Sequence, residues 1–326
     1  MGLFDGLKRD KKAAETVKQH KKEEIVEDEL IIDHIEVVER ETVKPLVEQE
    51  VPPTPIKTIK DKAPVKHVVG QTKVMAIINQ KGGVGKTTTA AALIATLAEK
   101  GKKVLGVDLD PQGNLGFSLG IDIDNVHTLY EVFKKQIPVE QALCATEYGD
   151  MLAANILLSG VELECNKPGR EYLLKTELSA LSADYDYIII DTPPALNLLT
   201  VNAYVTADKL IIPMAPEILS LLGVTQIKET IETVRQYYNP RLKVIGILLN
   251  KFNARLNLNR DVLDLSRQIA EQLDTKVFET KIRQGVLVAE SPAHGKSVVT
   301  YAPHSKPAMD FVALVEEILQ EGSVEQ

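Results

Sequence analysis

Two lysines, Lys81 and Lys86, bracket the stretch Gly82-Gly83-Val84-Gly85, and Thr87 and Thr88 follow directly. Side chains of these types at this spacing are suited to gripping a polyphosphate. The glycines leave the backbone bare, so successive N–H groups can face phosphate oxygens at a helix N-terminus. Lys86 would reach the outer phosphates, and the Thr87 hydroxyl would hold Mg²⁺. The stretch departs from the usual G-x-x-x-x-G-K-[ST] pattern at one place: Gln80 stands where the first glycine belongs, beside the additional Lys81. A purely structural turn gives no reason for two lysines around so many glycines.

Such a loop works only between a strand and a helix. The apolar run Val74-Met75-Ala76-Ile77-Ile78 precedes it, and Ala90-Ala91-Ala92-Leu93-Ile94-Ala95-Thr96-Leu97-Ala98 follows. Further near-continuous apolar runs predict buried parallel strands at 74–79, 103–107, 187–191, 209–213 and 243–249. Helical patterns fall at about 86–100, 171–182, 219–237, 259–273 and 307–320, with Gly101 at a C-cap position and Asn259 and Ser305 suited to helix starts. The alternation predicts an α/β fold, a doubly wound and mainly parallel sheet with helices on both faces. Its ligand site would lie at the carboxyl ends of the strands.

Two more motifs sit where that site would be. One is Val104-Leu105-Gly106-Val107-Asp108-Leu109-Asp110-Pro111-Gln112-Gly113-Asn114, the other Tyr187-Ile188-Ile189-Ile190-Asp191-Thr192-Pro193-Pro194. Each ends an apolar strand on aspartate, which puts carboxylates beside the phosphates, where Mg²⁺ and an attacking water must be held. Together with Val286-Leu287-Val288-Ala289-Glu290-Ser291-Pro292-Ala293-His294-Gly295-Lys296, these motifs resemble the deviant Walker A family of P-loop ATPases, and within it the ParA/Soj-type DNA-partition ATPases. The resemblance runs from about residue 74 to about residue 320.

The resemblance implies ATP and Mg²⁺ as cofactors. ATP would contact Lys81, Gly82, Gly83, Val84, Gly85, Lys86, Thr87 and Thr88, with Asn250 at the adenine edge and Pro292 packing the base. Asp191 matches the Walker B aspartate and, with Thr87 and Asp108, would serve the metal. Asp110 is spaced like the residue that orients the attacking water, so Lys81, Lys86 and Asp110 are the expected catalytic residues. In the family, the residue at Lys81 reaches across a homodimer to the partner's nucleotide. Members also grip double-stranded DNA non-specifically and answer to a ParB-type centromere-binding protein. Arg255, Arg260 and Arg283 are the expected DNA contacts here.

The net charge of −8 does not argue against DNA, because its distribution is uneven. Residues 74–234 carry 20 acidic against 12 basic side chains, whereas residues 235–310 carry 12 basic against 7 acidic. Residues 1–73 read as a charged, proline-containing flexible extension ahead of an ATPase domain at 74–326: a basic block, an acidic block, then scattered prolines. Leu3, Phe4 and Leu7 could touch a membrane, which keeps a MinD-like positioning regulator as the alternative. The acidic ending Glu316-Glu317-Ile318-Leu319-Gln320-Glu321 disfavours it, since anionic lipid would repel this segment. Cys144 and Cys165 lack any cluster-binding context, which disfavours an iron–sulfur role and fits a reducing cytoplasm. The expected location is cytoplasmic and nucleoid-associated.

Overall fold

The computed structural model describes residues 72–215, 224–253 and 258–324, so the expected extension lies outside the described residues up to residue 71. Among the described residues, seven strands form one sheet: β1 (Lys73–Ile77), β2 (Val104–Asp108), β3 (Leu143–Thr146), β4 (Gly149–Leu152), β5 (Tyr187–Asp191), β6 (Lys209–Met214) and β7 (Lys243–Leu249). Their spatial order is β3-β4-β2-β5-β1-β6-β7. Every neighbouring pair is parallel except β3 with β4. The longer helices are α1 (Lys86–Glu99), α2 (Leu173–Ser179), α3 (Leu198–Thr206), α4 (Val224–Tyr237), α5 (Leu258–Gln272) and α6 (Lys306–Val324). The doubly wound reading of the sequence is the fold observed.

Strand alternation divides the core in two. On β1, Met75 and Ile77 face the layer that holds Leu93 and Leu97 of α1 and Phe311, Leu314 and Ile318 of α6. Ala76, one residue on, faces the opposite layer, with Leu174 of α2, Tyr204 of α3, Ile231 of α4 and Ile269 of α5. Period-two side-chain alternation on a sheet covered on both faces accounts for this split. All five positions of β2 and of β5 are buried, which explains why these strands read as unbroken apolar runs.

Helix α1 is rich in alanine and free of internal glycine and proline, and ten of its fourteen residues are buried. It stops where the sequence suggests. Gly101 takes a φ of 75°, its N–H donates to the Ala98 carbonyl at 2.9 Å, and the Lys102 N–H donates to that of Leu97 at 3.1 Å. That pair of bonds is a Schellman ending. At the start of α6, the Ser305 hydroxyl accepts the Ala308 N–H at 3.3 Å, as its sequence position suggests.

Two features differ from the sequence reading. The hairpin β3–β4 extends one sheet edge; its four-residue strands are too short and mixed in polarity to show a period. The helix expected over 171–182 is a 3₁₀ turn at Arg170–Tyr172 leading into α2, followed by a second turn at Ser182–Asp184. Beyond α5 the chain returns along β7 through bridges Ile247 to Val277 and Phe252 to Arg283. Glu317 of α6 pins this return, accepting the N–H groups of Glu279 and Thr280 at 2.9 and 3.0 Å. Residues 282–289 are thereby carried back to the carboxyl ends of the strands.

Candidate active site

Register across the parallel strands sets the site. Ile77 lies opposite Asp191, and Asp191 opposite Asp108, so three strands reach the same edge together. The phosphate loop leaves β1 there. Asn79 fixes its entry: its Nδ2 donates to the Pro213 carbonyl at 2.8 Å and its Oδ1 accepts the Lys81 N–H at 2.9 Å. Thr192 ties β5 to β1 by donating to the Ile77 carbonyl at 2.8 Å. At the loop's exit Gly85 adopts a φ of 93° and begins α1 with no side-chain cap and no acidic residue in the first turn. An uncapped N-terminus at the head of a fourteen-residue helix leaves N–H donors for an anion.

Lys86 and the aspartates around this loop are buried. Lys86 is 6% exposed, and its Nζ donates to the Lys81 carbonyl at 3.2 Å. Burial lowers its pKa against the opposing pull of Asp191 and Asp110. Asp191 is fully buried, and burial pushes its pKa up to about 7 although the Thr87 hydroxyl and Lys86 draw it down. Neither Asp191 carboxylate oxygen accepts a hydrogen bond of good geometry. A buried carboxylate so placed beside Thr87 fits a hydrated Mg²⁺ at the phosphates.

Asp108 is used differently. Its Oδ1 accepts the Asp110 N–H at 2.9 Å, and its Oδ2 accepts the N–H groups of Leu115 and Gly116 at 3.0 and 3.3 Å. Burial, and then the neighbouring Asp191, hold its pKa well above the usual carboxylate range. Asp108 therefore shapes the loop that presents Asp110. Asp110 itself is 8% exposed and accepts the Gln112 N–H at 3.1 Å. Behind this loop Gly120 and Gly295 meet backbone to backbone: a Cβ on Gly295 would lie 2.9 Å from the Gly120 Cα.

A cavity of about 600 Å³ opens over these groups. Its lining includes Gly82, Gly83, Gly85, Lys86, Thr87, Thr88 and Asp110, together with Asn250, Lys251, Ile282, Gln284, Val288 and Ala289. The volume falls within the range of small-ligand sites. A lining that combines bare backbone, Lys86 and hydroxyls with the aliphatic side chains of Ile282, Val288 and Ala289 suits a phosphate chain joined to a flat ring.

Residues 72–244 match the AAA domain family. Over 252 residues the chain is 41% identical to the chromosome partitioning protein ParA of Myxococcus xanthus, covering 76% of this chain and 88% of that one. The chain belongs to the ParA/Soj family of P-loop partition ATPases. The sporulation initiation inhibitor protein Soj of Bacillus subtilis is 40% identical over 254 residues, covering 77% of this chain and 99% of that protein. Among solved structures, a cobyrinic acid a,c-diamide synthase from Mycobacterium smegmatis with bound ADP and magnesium is 37% identical, with a TM-score of 0.69, covering 78% of this chain and 97% of that one.

Against the ParA/Soj expectations, the residues divide as follows. Gly82, Gly83, Gly85, Lys86, Thr87, Thr88, Asp110 and Asn250 share the cavity, while Val84 is buried beneath the loop. Lys81 is half-buried at the loop's entry. Pro292 does not line this cavity; it lines a small neighbouring recess with Thr88, Ser118 and Val298. Arg283 stands at the cavity wall and makes a double ion pair with Asp310 of α6, Nε to Oδ2 at 2.8 Å and Nη2 to Oδ1 at 2.6 Å. Arg255 lies outside the described residues, and Arg260 is described only as part of α5.

Sequence reasoning assigned no cavity role to Gln112, Asn114 or Pro194, although all three stand inside motifs it singled out. It gave no cavity role to Val288 and Ala289 either, although both stand in the third motif, and it missed Ile282 and Gln284, which reach the cavity through the chain's return along β7. No periodic signal marks such a return.

Gly85 supplies the first prediction. A Cβ there would sit 2.1 Å from Asn250 Nδ2, on a backbone with positive φ. Gly85→Ala is expected to lower stability by about 1–3 kcal/mol and to displace the loop. Calorimetric melts and tripolyphosphate titration check this; a variant that melts and binds like the parent contradicts it.

Proposed function

We propose that this chain is an ATP-dependent DNA-partition ATPase: two copies close on two ATP molecules, the dimer binds DNA without sequence preference, and hydrolysis releases it. The observation that carries the reading is the lysine pair Lys81 and Lys86 around a bare glycine loop, above the buried Asp191. Similarity of about 40% to chromosome partitioning proteins supports it. Lys86, Thr87 and the N–H groups at the head of α1 would hold the phosphates. Bound at Thr87 and Asp191, Mg²⁺ would neutralise charge on the transferred phosphoryl group. Asp110 would orient the attacking water, held in place by the loop that Asp108 shapes. A ParB-type partner would accelerate this step, and nucleoid association would follow from DNA binding.

The excess of basic residues over 235–310 supports a sequence-independent DNA contact. Arg255 and Arg260 are the proposed contacts. Arg283 would join them only by giving up part of its pairing with Asp310.

The deciding experiment is binding of the full chain to random-sequence duplex DNA with ATP and with ADP, at low and moderate salt. Binding that needs ATP and weakens with salt is expected. Absence of binding in both nucleotide states overturns the DNA role, and ATP-dependent binding to anionic vesicles would then favour the MinD-like alternative. Light scattering is expected to show the mass of the parent doubling on ATP addition and that of Lys81→Ala staying at the monomer; a variant that still reaches the dimer mass refutes the cross-subunit role.

The metal step carries a pH dependence. In the fold the Asp191 pKa stands at about 7 against an ordinary 3.8, so the folded protein holds a proton there that the unfolded chain has lost. Stability contributed by this group therefore falls as pH rises from about 4 to about 7. Magnesium must displace that proton, so the tightening of ATP binding by Mg²⁺ is expected to weaken as pH drops below about 7, by up to about tenfold per unit. Titrations at pH 6 and 8 check the sign, and Asp191→Asn is expected to remove the dependence.

A further inference from the structure

The two halves of the phosphate loop are held by different parts of the molecule. Lys86, Thr87 and Thr88 belong to α1. Its first turn is closed on Gly85, whose carbonyl accepts the N–H and the hydroxyl of Thr89 at 2.9 and 2.7 Å. Ten buried residues then seat that helix in the core. Lys81, at the other end of the loop, is not among the residues that line the cavity. Its main chain is set by Asn79.

Asn79 stands two residues beyond β1 and is buried. The Ile78 N–H donates to the Ile211 carbonyl at 3.0 Å, and two residues further along β6 the Pro213 carbonyl takes Asn79 Nδ2 at 2.8 Å. The Oδ1 is thereby turned to the Lys81 N–H, which it accepts at 2.9 Å in a side-chain turn two residues on. Only one orientation of the carboxamide serves both partners, since the carbonyl needs a donor and the N–H an acceptor. The bond from Lys86 Nζ to the Lys81 carbonyl, at 3.2 Å, crosses between the halves, but that ammonium would turn to the phosphates once nucleotide binds. Asn79 then still fixes the main-chain position from which the Lys81 side chain reaches out.

We propose that Asn79 is the positioning residue for Lys81, setting that lysine for the second subunit separately from the half of the loop that grips nucleotide. The proposal rests on the reading of Lys81 as the residue that reaches across the dimer. Removing the carboxamide takes this donor from the buried Pro213 carbonyl and this acceptor from the Lys81 N–H. The loop entry is then free to shift, while the head of α1 stays seated. Assembly with ATP suffers more than the binding of nucleotide to a single chain.

Two measurements on the full chain separate these effects: calorimetric titration with ADP and Mg²⁺, and light scattering against protein concentration with ATP and Mg²⁺. Asn79→Ala is expected to raise the concentration needed for the dimer by about tenfold or more beyond any change in ADP affinity. Asn79→Ser keeps an oxygen that can accept the Lys81 N–H but is too short to reach Pro213, and it is expected to recover most of the dimer. A loss of ADP affinity as large as the loss of dimer overturns the proposal, and so does an Asn79→Ala protein that dimerises like the parent. An Asn79→Ser protein that assembles no better than Asn79→Ala also overturns it, because the tie to β6 would then be what matters. Should Asn79→Ala fail to fold, Asn79→Ser decides alone: assembly nearer to the parent's than to that of Lys81→Ala is expected, and the reverse overturns the proposal. A parent that stays a monomer with ATP, or a Lys81→Ala protein that still dimerises, removes the cross-subunit reading itself, a result reached with Asn79 intact and so distinct from the others.

Discussion

Everything at the site depends on carboxylates and a lysine held away from water at the common edge of β1, β5 and β2. Parallel register brings Asp108 and Asp191 side by side, and burial raises the pKa of both. Like charges in a low-dielectric setting repel strongly, and protonation is the usual way out. Lys86 offsets only part of the repulsion, since burial lowers its own pKa as well. A divalent cation with a phosphate chain supplies the missing compensation. The site is therefore organised around a charge imbalance that its ligand relieves.

The surrounding fold holds that imbalance in place. Backbone hydrogen bonds to Asp108 fix the Asp110 loop, Thr192 locks β5 to β1, and Asn79 fixes the entry of the phosphate loop. None of these bonds touches a ligand. Each ties a buried polar group to another strand or loop, and each therefore limits how far the loops can drift. The apolar layer that α1 shares with α6 then keeps α1 seated, so that the head of the helix stays aimed at the cavity.

Much of this was legible in the residues. Central strands announce themselves because burial on both faces demands unbroken apolar runs, and Gly101 and Ser305 mark helix limits through local backbone chemistry. The phosphate loop was legible for a similar reason: bare backbone and cations have few other uses together. What stayed hidden depends on distant contacts. The β3–β4 hairpin is defined by pairing with β2, and the approach of Ile282 and Gln284 to the cavity by a return along β7. Asn250 was placed correctly at a strand end, but its bond to Val84 spans 166 residues and leaves no local trace.

The contact of Gly120 with Gly295 carries a consequence for how such a chain can change. Bare backbone meets bare backbone there, and both residues hold positive φ. A substitution at either position meets main chain, which has no rotamer with which to move aside. The two loops are thus locked into joint inheritance: an altered 120 loop must arrive with an altered 295 loop, or not at all. Variation in this corner of the molecule should come as paired exchanges of whole segments, while the neighbouring helices remain free to drift one residue at a time.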